Sequence, residues 1–105
     1  MKTQLNRGER RRLMYIENKD GDIDGARARI GWVTFSKTGK SIFYRGRELL
    51  KANVSRGNFL DVATREEFWV SGVKKRGSNV HWADSIAVKV DDDAVENYRE
   101  LKETK

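Results

Sequence analysis

Residues 27–47 form the densest apolar stretch of the chain and have the pattern of a two-stranded β-hairpin. At the centre, Lys37-Thr38-Gly39 is typical of a type I turn closed by a glycine in the left-handed region. Apolar residues fall on both faces of the two predicted strands. Because an apolar sheet face needs cover, we expect this hairpin in the middle of a small β-domain.

The turn also predicts the register of the hairpin. If Ser36 faces Lys40, Trp32 lies opposite Tyr44. One face then carries Ile30, Trp32, Thr34, Ile42 and Tyr44, and the other carries Val33, Phe35 and Phe43. The tail of the chain is expected to cover one face, and the later β-patterns are expected to cover the other.

Short β-patterns separated by turn residues flank the hairpin on both sides. Strands are predicted at residues 13–17, 58–64, 67–73 and 80–90, and residues 48–51 fit a strand or a single helical turn. Loops are predicted at residues 18–25 and 52–57. The last three strands would form a second hairpin and a following strand with clear alternation.

The end of the chain has a helical pattern. Asp93 followed three residues later by Glu96 is typical of a capping box. Apolar residues at helical spacing follow at Val95, Tyr98 and Leu101, so a helix is predicted at residues 92–103. The sequence therefore predicts a mainly β fold, a small antiparallel, partly closed, barrel-like (SH3-like) sheet of about six or seven strands with a C-terminal α-helix.

The chain has 105 residues, a net charge of +6 and a pI of about 9.8. Residues 1–12 carry +4 and lack apolar periodicity, which predicts a flexible basic arm before a single domain at residues 13–105. Residues 91–105 carry −3, so the positive excess lies in the arm and the body. This charge favours nucleic acid or another polyanion as partner. The alternative is charge that serves solubility alone.

The composition excludes several classes of function. The chain has no cysteine, so neither disulfides nor thiolate metal sites can form. The N-terminus lacks an apolar signal region, and no stretch approaches the ~20 apolar residues of a membrane span. A cytoplasmic protein of bacterial type, without a membrane partner, is therefore expected.

One acidic loop matches part of a calcium motif. The stretch DGDIDG at residues 20–25 fits the first half of an EF-hand loop, but the twelfth position, where a bidentate Glu is needed, is Gly31. A loose oxygen-ligand site of Asp20, Asp22 and Asp24 and a solvated turn are the two interpretations, and the turn is favoured. We expect neither a metal nor a small-molecule cofactor.

Two further features fall short of catalytic motifs. Gly39-Lys40-Ser41 resembles the end of a P-loop, but Thr34 stands where that motif needs a glycine. His81 is the only histidine, and alternation puts His81 and Asp84 on opposite faces of their predicted strand. The sequence therefore predicts a non-catalytic protein.

Aromatic residues stand beside basic ones in two of the predicted strands, a combination that single-stranded nucleic acid binders use. The candidates for phosphate contacts are Arg27, Arg29, Arg45, Arg47, Lys74, Lys75 and Arg76, with Tyr44 and Trp69 as stacking residues. The leading hypothesis is a small binding module for nucleic acid or another acidic partner. The competing hypothesis is a protein-interaction module of accessory or immunity type that docks through an aromatic patch or a sheet edge.

Three stretches carry a family resemblance: LMYIENK at residues 13–19, ARIGWVTFSKTGK at 28–40 followed by FYRG at 43–46, and FWVSG at 68–72 with Lys74 and Lys75. Together, over about residues 13–84, they resemble a family of short bacterial proteins of unknown function. The resemblance implies a compact cytoplasmic domain and no catalytic residue. Such proteins are sometimes labelled as the thiamine-dependent deoxyxylulose phosphate synthase. That label does not fit, because Gly21-Asp22 is followed by Ile23 where the cofactor motif has glycine, and because the chain is far too short.

Overall fold

The computed structural model describes residues 10–73 and 87–103. The strands are β1 (Arg10–Asn18), β2 (Ala28–Phe35), β3 (Ser41–Tyr44), β4 (Arg47–Lys51), β5 (Phe59–Asp61), β6 (Glu67–Gly72) and β7 (Val88–Val90). A 3₁₀ turn at Asp92–Ala94 leads into the helix α1 (Val95–Glu103).

Six of the strands close into an antiparallel barrel. Their order is β1-β6-β5-β4-β3-β2, and β1 also pairs with β2, which completes the circle. The seventh strand, β7, is parallel to the first half of β2. This confirms the predicted mainly β, barrel-like antiparallel sheet with a C-terminal helix, and the barrel is closed where a partly closed sheet was expected.

The first strand begins earlier than the sequence pattern indicates. Residues 10–12 were expected at the end of a flexible arm, but they pair with residues 33–35 of β2. The rest of the predicted arm lies outside the described residues. Strand β1 therefore brings a row of three arginines into the folded domain.

The central hairpin has a register one residue away from the predicted one. Thr34 lies opposite Phe43, and the amide of Ser36 donates to the carbonyl of Ser41 at 2.9 Å. The predicted pairing of Ser36 with Lys40 is therefore wrong, because the loop is one residue longer than a three-residue turn. Its left-handed glycine is where the pattern predicted it, at Gly39 with φ of +78°.

A shift of one residue moves every side chain of a strand to the other face. The predicted opposition of Trp32 and Tyr44 is therefore wrong, and so is the division of the hairpin into faces. Ile42 and Tyr44 point into the barrel with Val33, while Phe43 stands on the outer wall and is 39% exposed.

Two apolar clusters stabilise the domain. The barrel interior holds Met14, Ile16, Ile23, Val33, Ile42, Tyr44, Leu49, Phe59, Phe68 and Val70. Outside the wall, a second cluster is formed by Tyr15, Ala28 and Ile30 with Leu13, Val73, Val88, Val90 and Tyr98. Side chains of β7 and α1 therefore cover the outer face of β1 and β2 together. The helix was expected to cover one face, but residues 80–90, to which β7 belongs, were expected on the other. Among the described residues, neither helical segment has the length and apolarity needed to cross a bilayer.

The helical tail begins after Asp91 and not at the predicted capping box of Asp93 and Glu96. Asp91 occupies the N-cap position but makes no capping bond with its side chain. Its carboxylate points back to the barrel, where it accepts from Arg29 and Tyr44. A residue of the tail thus becomes part of the polar network at one end of the barrel.

Candidate functional site

Arg29, one of the predicted phosphate contacts, is buried in the structure and is 5% exposed. Its Nε donates to the carbonyl of Ile23 at 2.7 Å, and its Nη1 donates to Asp91 Oδ1 at 3.0 Å. Its Nη2 donates to the carbonyl of Asp24 at 2.6 Å. All three nitrogen atoms have partners, so Arg29 joins the loop after β1 to the tail and offers no free cation to a ligand.

The carboxylate of Asp91 is contacted by polar side chains from two strands and a turn. The hydroxyl of Tyr44 donates to Oδ2, Arg29 donates to Oδ1, and Nη1 of Arg45 lies 3.5 Å from Oδ1. Burial, helped by the hydrogen bond to Asp91, raises the pKa of Tyr44 far above its usual value of 10. The hydroxyl therefore remains a proton donor at neutral pH. Asp91 with Arg29, Tyr44 and Arg45 forms the Asp91 cluster, which locks the tail onto the barrel.

Arg45 and Arg47 are also paired. Arg45 lies in the two-residue turn from β3 to β4, where it and Gly46 both have positive φ, and Arg47 is the first residue of β4. Arg45 Nε donates to Asp24 at 2.7 Å. Arg47 Nη1 donates to Asp61 at 2.8 Å and to Glu66 at 2.9 Å. The turn thus places both guanidinium groups among carboxylates of the same chain.

Arg27 has the most accessible side chain of the four described arginines in the predicted set. Its side chain is 49% exposed, and its Nε lies 3.7 Å from the buried carboxylate of Glu17. The other predicted contacts, Lys74, Lys75 and Arg76, lie outside the described residues, as do His81 and Asp84. Arg27 is therefore the one described residue of the set whose cation faces solvent to a large extent.

The two predicted stacking residues differ in access. Tyr44 is 3% exposed and its hydroxyl is bound to Asp91, so its ring has no open face for a base. Trp69 stands on the outer wall of β6 and is 42% exposed. Its ring is accessible, as stacking requires.

The acidic loop supplies partners for arginines. Asp20 accepts from Arg56 and, at 2.7 Å, from the amide of Glu67, and these contacts hold the pKa of Asp20 below its usual range. Asp24 accepts from Arg45. Across the part of the chain that the structure describes, no three carboxylate or imidazole groups converge as a metal site.

An open groove of about 540 Å³ lies beside the Asp91 cluster. Its walls are formed by Arg29, Arg45, Lys89, Asp91, Asp92, Asp93, Trp32 and Tyr44. The three basic and three acidic side chains balance, so the groove carries no net charge. It therefore does not favour an anion over a cation.

Charge is distributed unevenly between the two ends of the barrel. The end with the loop after β1 and the turns at residues 45–46 and 62–66 holds the ion pairs described above. The opposite end holds the start of β1, the loop between β2 and β3, and the end of β4. At that second end, within residues 10–73 and 87–103, basic side chains gather without acidic ones.

We call these residues the cationic end: Arg10, Arg12, Lys37, Lys40 and Lys51. All five are exposed, and among the described residues none of them has a carboxylate partner. The fold brings these residues together in two ways. Arg10 pairs with Phe35, the last residue of β2 before the loop that holds Lys37 and Lys40. The amide of Lys51 donates to the carbonyl of Lys40 at 2.8 Å. Two further described cations without a carboxylate partner, Arg65 and Lys89, lie elsewhere.

A sixth cation, Arg11, lies beside this end on the outer wall. Its guanidinium carbon is 4.7 Å from the centroid of the Trp32 ring. The contact is a cation–π pair, which leaves the charge unneutralised. Arg11 therefore adds to the positive potential next to the cationic end.

The lysines of this surface do not stand beside aromatic residues in the sequence, so the pattern of a nucleic acid binder did not point to them. The arginines that do stand beside aromatic residues are paired with carboxylates in the structure. One signal was present in the sequence, because no Asp or Glu occurs between Asp24 and Glu48. A loop in the middle of that stretch, such as the one with Lys37 and Lys40, has no acidic neighbour along the chain.

Comparison of the chain with models of protein families, with curated proteins and with solved structures finds no match. The resemblance to short bacterial proteins and the likeness to SH3-like barrels therefore stay predictions.

Proposed function

We propose that the protein is a non-catalytic module that binds nucleic acid or another polyanion, and that the cationic end makes the contact. The observation that supports this most is the separation of charges. The arginines at one end of the barrel, Arg65 excepted, are matched by carboxylates, while five cations at the other end lack any such partner among the described residues. A polyanion is attracted to a surface where several cations lie together without carboxylates to neutralise them.

The described fold gives these cations no carboxylate to pair with. Lys40, in the loop before β3, and Lys51, at the end of β4, are joined by a backbone hydrogen bond, so their charges are close enough to repel each other. Arg10 and Arg12 lie on the same side of β1 with one residue between them, and repel in the same way. A phosphate chain would replace this repulsion by attraction and release its counterions.

The size of the surface suits several phosphates. The five residues come from β1, the loop between β2 and β3, and the end of β4, which are neighbours around the barrel. Four neighbouring strands span about 14 Å at a spacing of ~4.8 Å. A backbone with regularly spaced charges can therefore meet more than two of these cations at once.

The test is binding of fluorescent single- and double-stranded oligonucleotides, measured by anisotropy over a salt series. If the five cations each meet a phosphate, the logarithm of the binding constant should fall against the logarithm of salt with a slope of about −3 to −5. The double variant Lys37→Gln/Lys40→Gln should bind more weakly and show a slope that is shallower by about 1.5. The matched control is Arg65→Gln/Lys89→Gln, which removes the same charge from exposed sites elsewhere and should come closer to the unmodified protein.

Two results would overturn the proposal. One is the absence of binding to any oligonucleotide or to inorganic polyphosphate at about 50 mM salt. The other is an affinity that the control variant lowers as much as the Lys37→Gln/Lys40→Gln variant does. In that second case binding would reflect net charge and not this surface.

A protein partner is the second candidate, and the exposed ring of Trp69 favours it. Docking by strand addition has little room, because barrel closure pairs both sides of the six barrel strands, and within the described residues β7 alone ends the sheet order. Docking would therefore use the outer wall. A pull-down after nuclease treatment that returns one stoichiometric protein supports this candidate, and recovery of nucleic acid alone counts against it.

A further inference from the structure

Two arginines of the cationic end lie on the inner face of the barrel wall, at its mouth. Arg11 lies on the outer wall, so strand alternation places Arg10 and Arg12 on the inner face of β1. Arg12 is opposite Val33, which belongs to the barrel interior. Arg10 is opposite Phe35, which packs against that interior. Both guanidinium groups therefore start from the side of the wall that faces the barrel axis.

Two lysines lie at the same mouth on its far side. Lys51 is two residues beyond Leu49 and opposite Phe59, and both of these residues belong to the barrel interior. The amide of Lys51 donates to the carbonyl of Lys40 at 2.8 Å, which places the two lysines side by side at the rim. Around the closed barrel, β1 and β4 are separated by two strands in either direction. The arginines of β1 and Lys51 therefore lie across the mouth from each other.

An aromatic side chain lies between these cations. Phe35 is the last residue of β2, packs against the interior cluster and is half-buried. Its partners on the adjacent strands are Arg10 and Ile42. Proteins that bind single-stranded nucleic acid combine an aromatic ring, on which a base stacks, with cations that follow the phosphates. The mouth of the barrel has both components.

The size of the mouth distinguishes between a single strand and a duplex. Six strands at a spacing of ~4.8 Å, tilted by about 40°, form a barrel about 12 Å across. A duplex is stiff, carries its phosphates on a convex surface and keeps its bases stacked inside, so it can touch only the rim. A single strand is flexible and has free base faces. It can place phosphates near cations on opposite sides of the mouth and a base near the centre.

We propose that the cationic end selects single-stranded nucleic acid over duplex. One base stacks on Phe35, and the flanking phosphates are held by Arg10, Arg12, Lys40 and Lys51. The preference rests on the proposed function, since it concerns the form of polyanion that the same surface takes.

The test compares three fluorescent probes by anisotropy at the same salt concentration. They are a thymidine strand, a strand of the same length with abasic sites in place of the bases, and a duplex with the same number of phosphates. The thymidine strand should bind more tightly than either of the others by about fivefold or more, because only it offers a free base to the ring.

Variants at position 35 test the stacking contact. Phe35→Leu keeps an apolar side chain against the interior but removes the ring, so it should weaken binding of the thymidine strand by about fivefold or more and leave binding of the abasic strand unchanged. Phe35→Trp keeps a ring and should keep the preference. Trp69→Leu is the matched control, since it removes an exposed ring from the outer wall of β6 and should bind as the unmodified protein does.

Circular dichroism checks that each variant is folded, and if Phe35→Leu is not, the three probes with the unmodified protein decide. Equal affinities for the thymidine and abasic strands, or a duplex that binds as tightly, would overturn the preference for single strands. So would a loss in Trp69→Leu as large as that in Phe35→Leu. The proposed function would still stand in these cases if Lys37→Gln/Lys40→Gln weakens binding. Failure of all three probes and of inorganic polyphosphate to bind at about 50 mM salt would overturn both.

Discussion

The carboxylate of Asp91 lies against the α-carbon of Gly31, in the space that a side chain at position 31 would need. The hydroxyl of Tyr44 closes the same space, with its oxygen 2.8 Å from the position of such a Cβ. A glycine in the middle of β2 therefore makes room for the tail to lock onto the barrel. The lock joins a strand, its neighbour and the segment before α1 at one point.

Gly31→Ala should destabilise the protein by about 2–4 kcal/mol, because the new methyl group displaces the carboxylate that Arg29 and Tyr44 share. The free energy of unfolding in urea measures this. Gly72→Ala is the matched control, since a Cβ on that strand glycine meets nothing within 4 Å. A loss equal in the two variants would show that the cost comes from the backbone and not from the lock.

Asp91→Asn should also be severe. It leaves the guanidinium of Arg29, which is 5% exposed, without its carboxylate, and removing one partner of a buried pair costs about 3–5 kcal/mol. The exposed pair of Asp24 and Arg45 provides the comparison, because Asp24→Asn removes a carboxylate that solvent already screens. Thermal unfolding of the two variants should separate them clearly. Similar melting temperatures would mean that the buried pair is no stronger than the surface one.

The stability of the protein should fall at acid pH through Asp61 and Glu66. Burial opposes ionisation of Asp61, but the amides of Ala63 and Thr64 and the guanidinium of Arg47 outweigh it and hold the pKa of Asp61 below its ordinary value of 3.8. The hydrogen bond from Arg47 lowers the pKa of Glu66 below 4.5. Because both values are lower in the folded state, their contribution is complete above pH 4.5 and is lost as pH falls through the folded values.

Urea unfolding between pH 7 and pH 2 tests this dependence. Asp61→Asn should lower the free energy of unfolding at pH 7 and remove part of its decline below pH 4. The variant and the unmodified protein should therefore converge as the solution becomes more acidic. If the free energies of unfolding of the two proteins ran parallel from pH 7 to pH 2, Asp61 would not be a source of the pH dependence.

Removing charge from the cationic end should not weaken the fold. Lys37→Gln/Lys40→Gln takes away two exposed side chains without carboxylate partners among the described residues, so the free energy of unfolding should stay within about 0.5 kcal/mol or rise slightly. Thermal and urea unfolding at low salt measure it, since low salt reveals repulsion most clearly. A clear loss of stability would show that these lysines serve the fold and would weaken the functional interpretation.

Local patterns determined much of this fold. Gly39 adopts its left-handed conformation because only glycine does so at little cost, and the turns and alternation around it predicted both hairpins. The helical segments from Asp92 to Glu103 coincide with the predicted helix, since the apolar spacing and the acidic start are local features. These features act within a few residues of each other, so the sequence shows them directly.

The register of the central hairpin and the pairing of the charged side chains depended on the tertiary structure. A single extra residue in one loop moved Phe43 to the outer wall and Tyr44 to the interior, and only packing against the rest of the barrel selects between these two registers. The partners of Arg29 and Arg47 are Asp91 and Asp61, which are 62 and 14 residues away along the chain, so no local pattern shows that these arginines are paired. The sequence by itself determined the turns, the strands and the excess of positive charge. The tertiary structure decided which cations are neutralised, because ion pairing depends on distances that exist only after the barrel has closed.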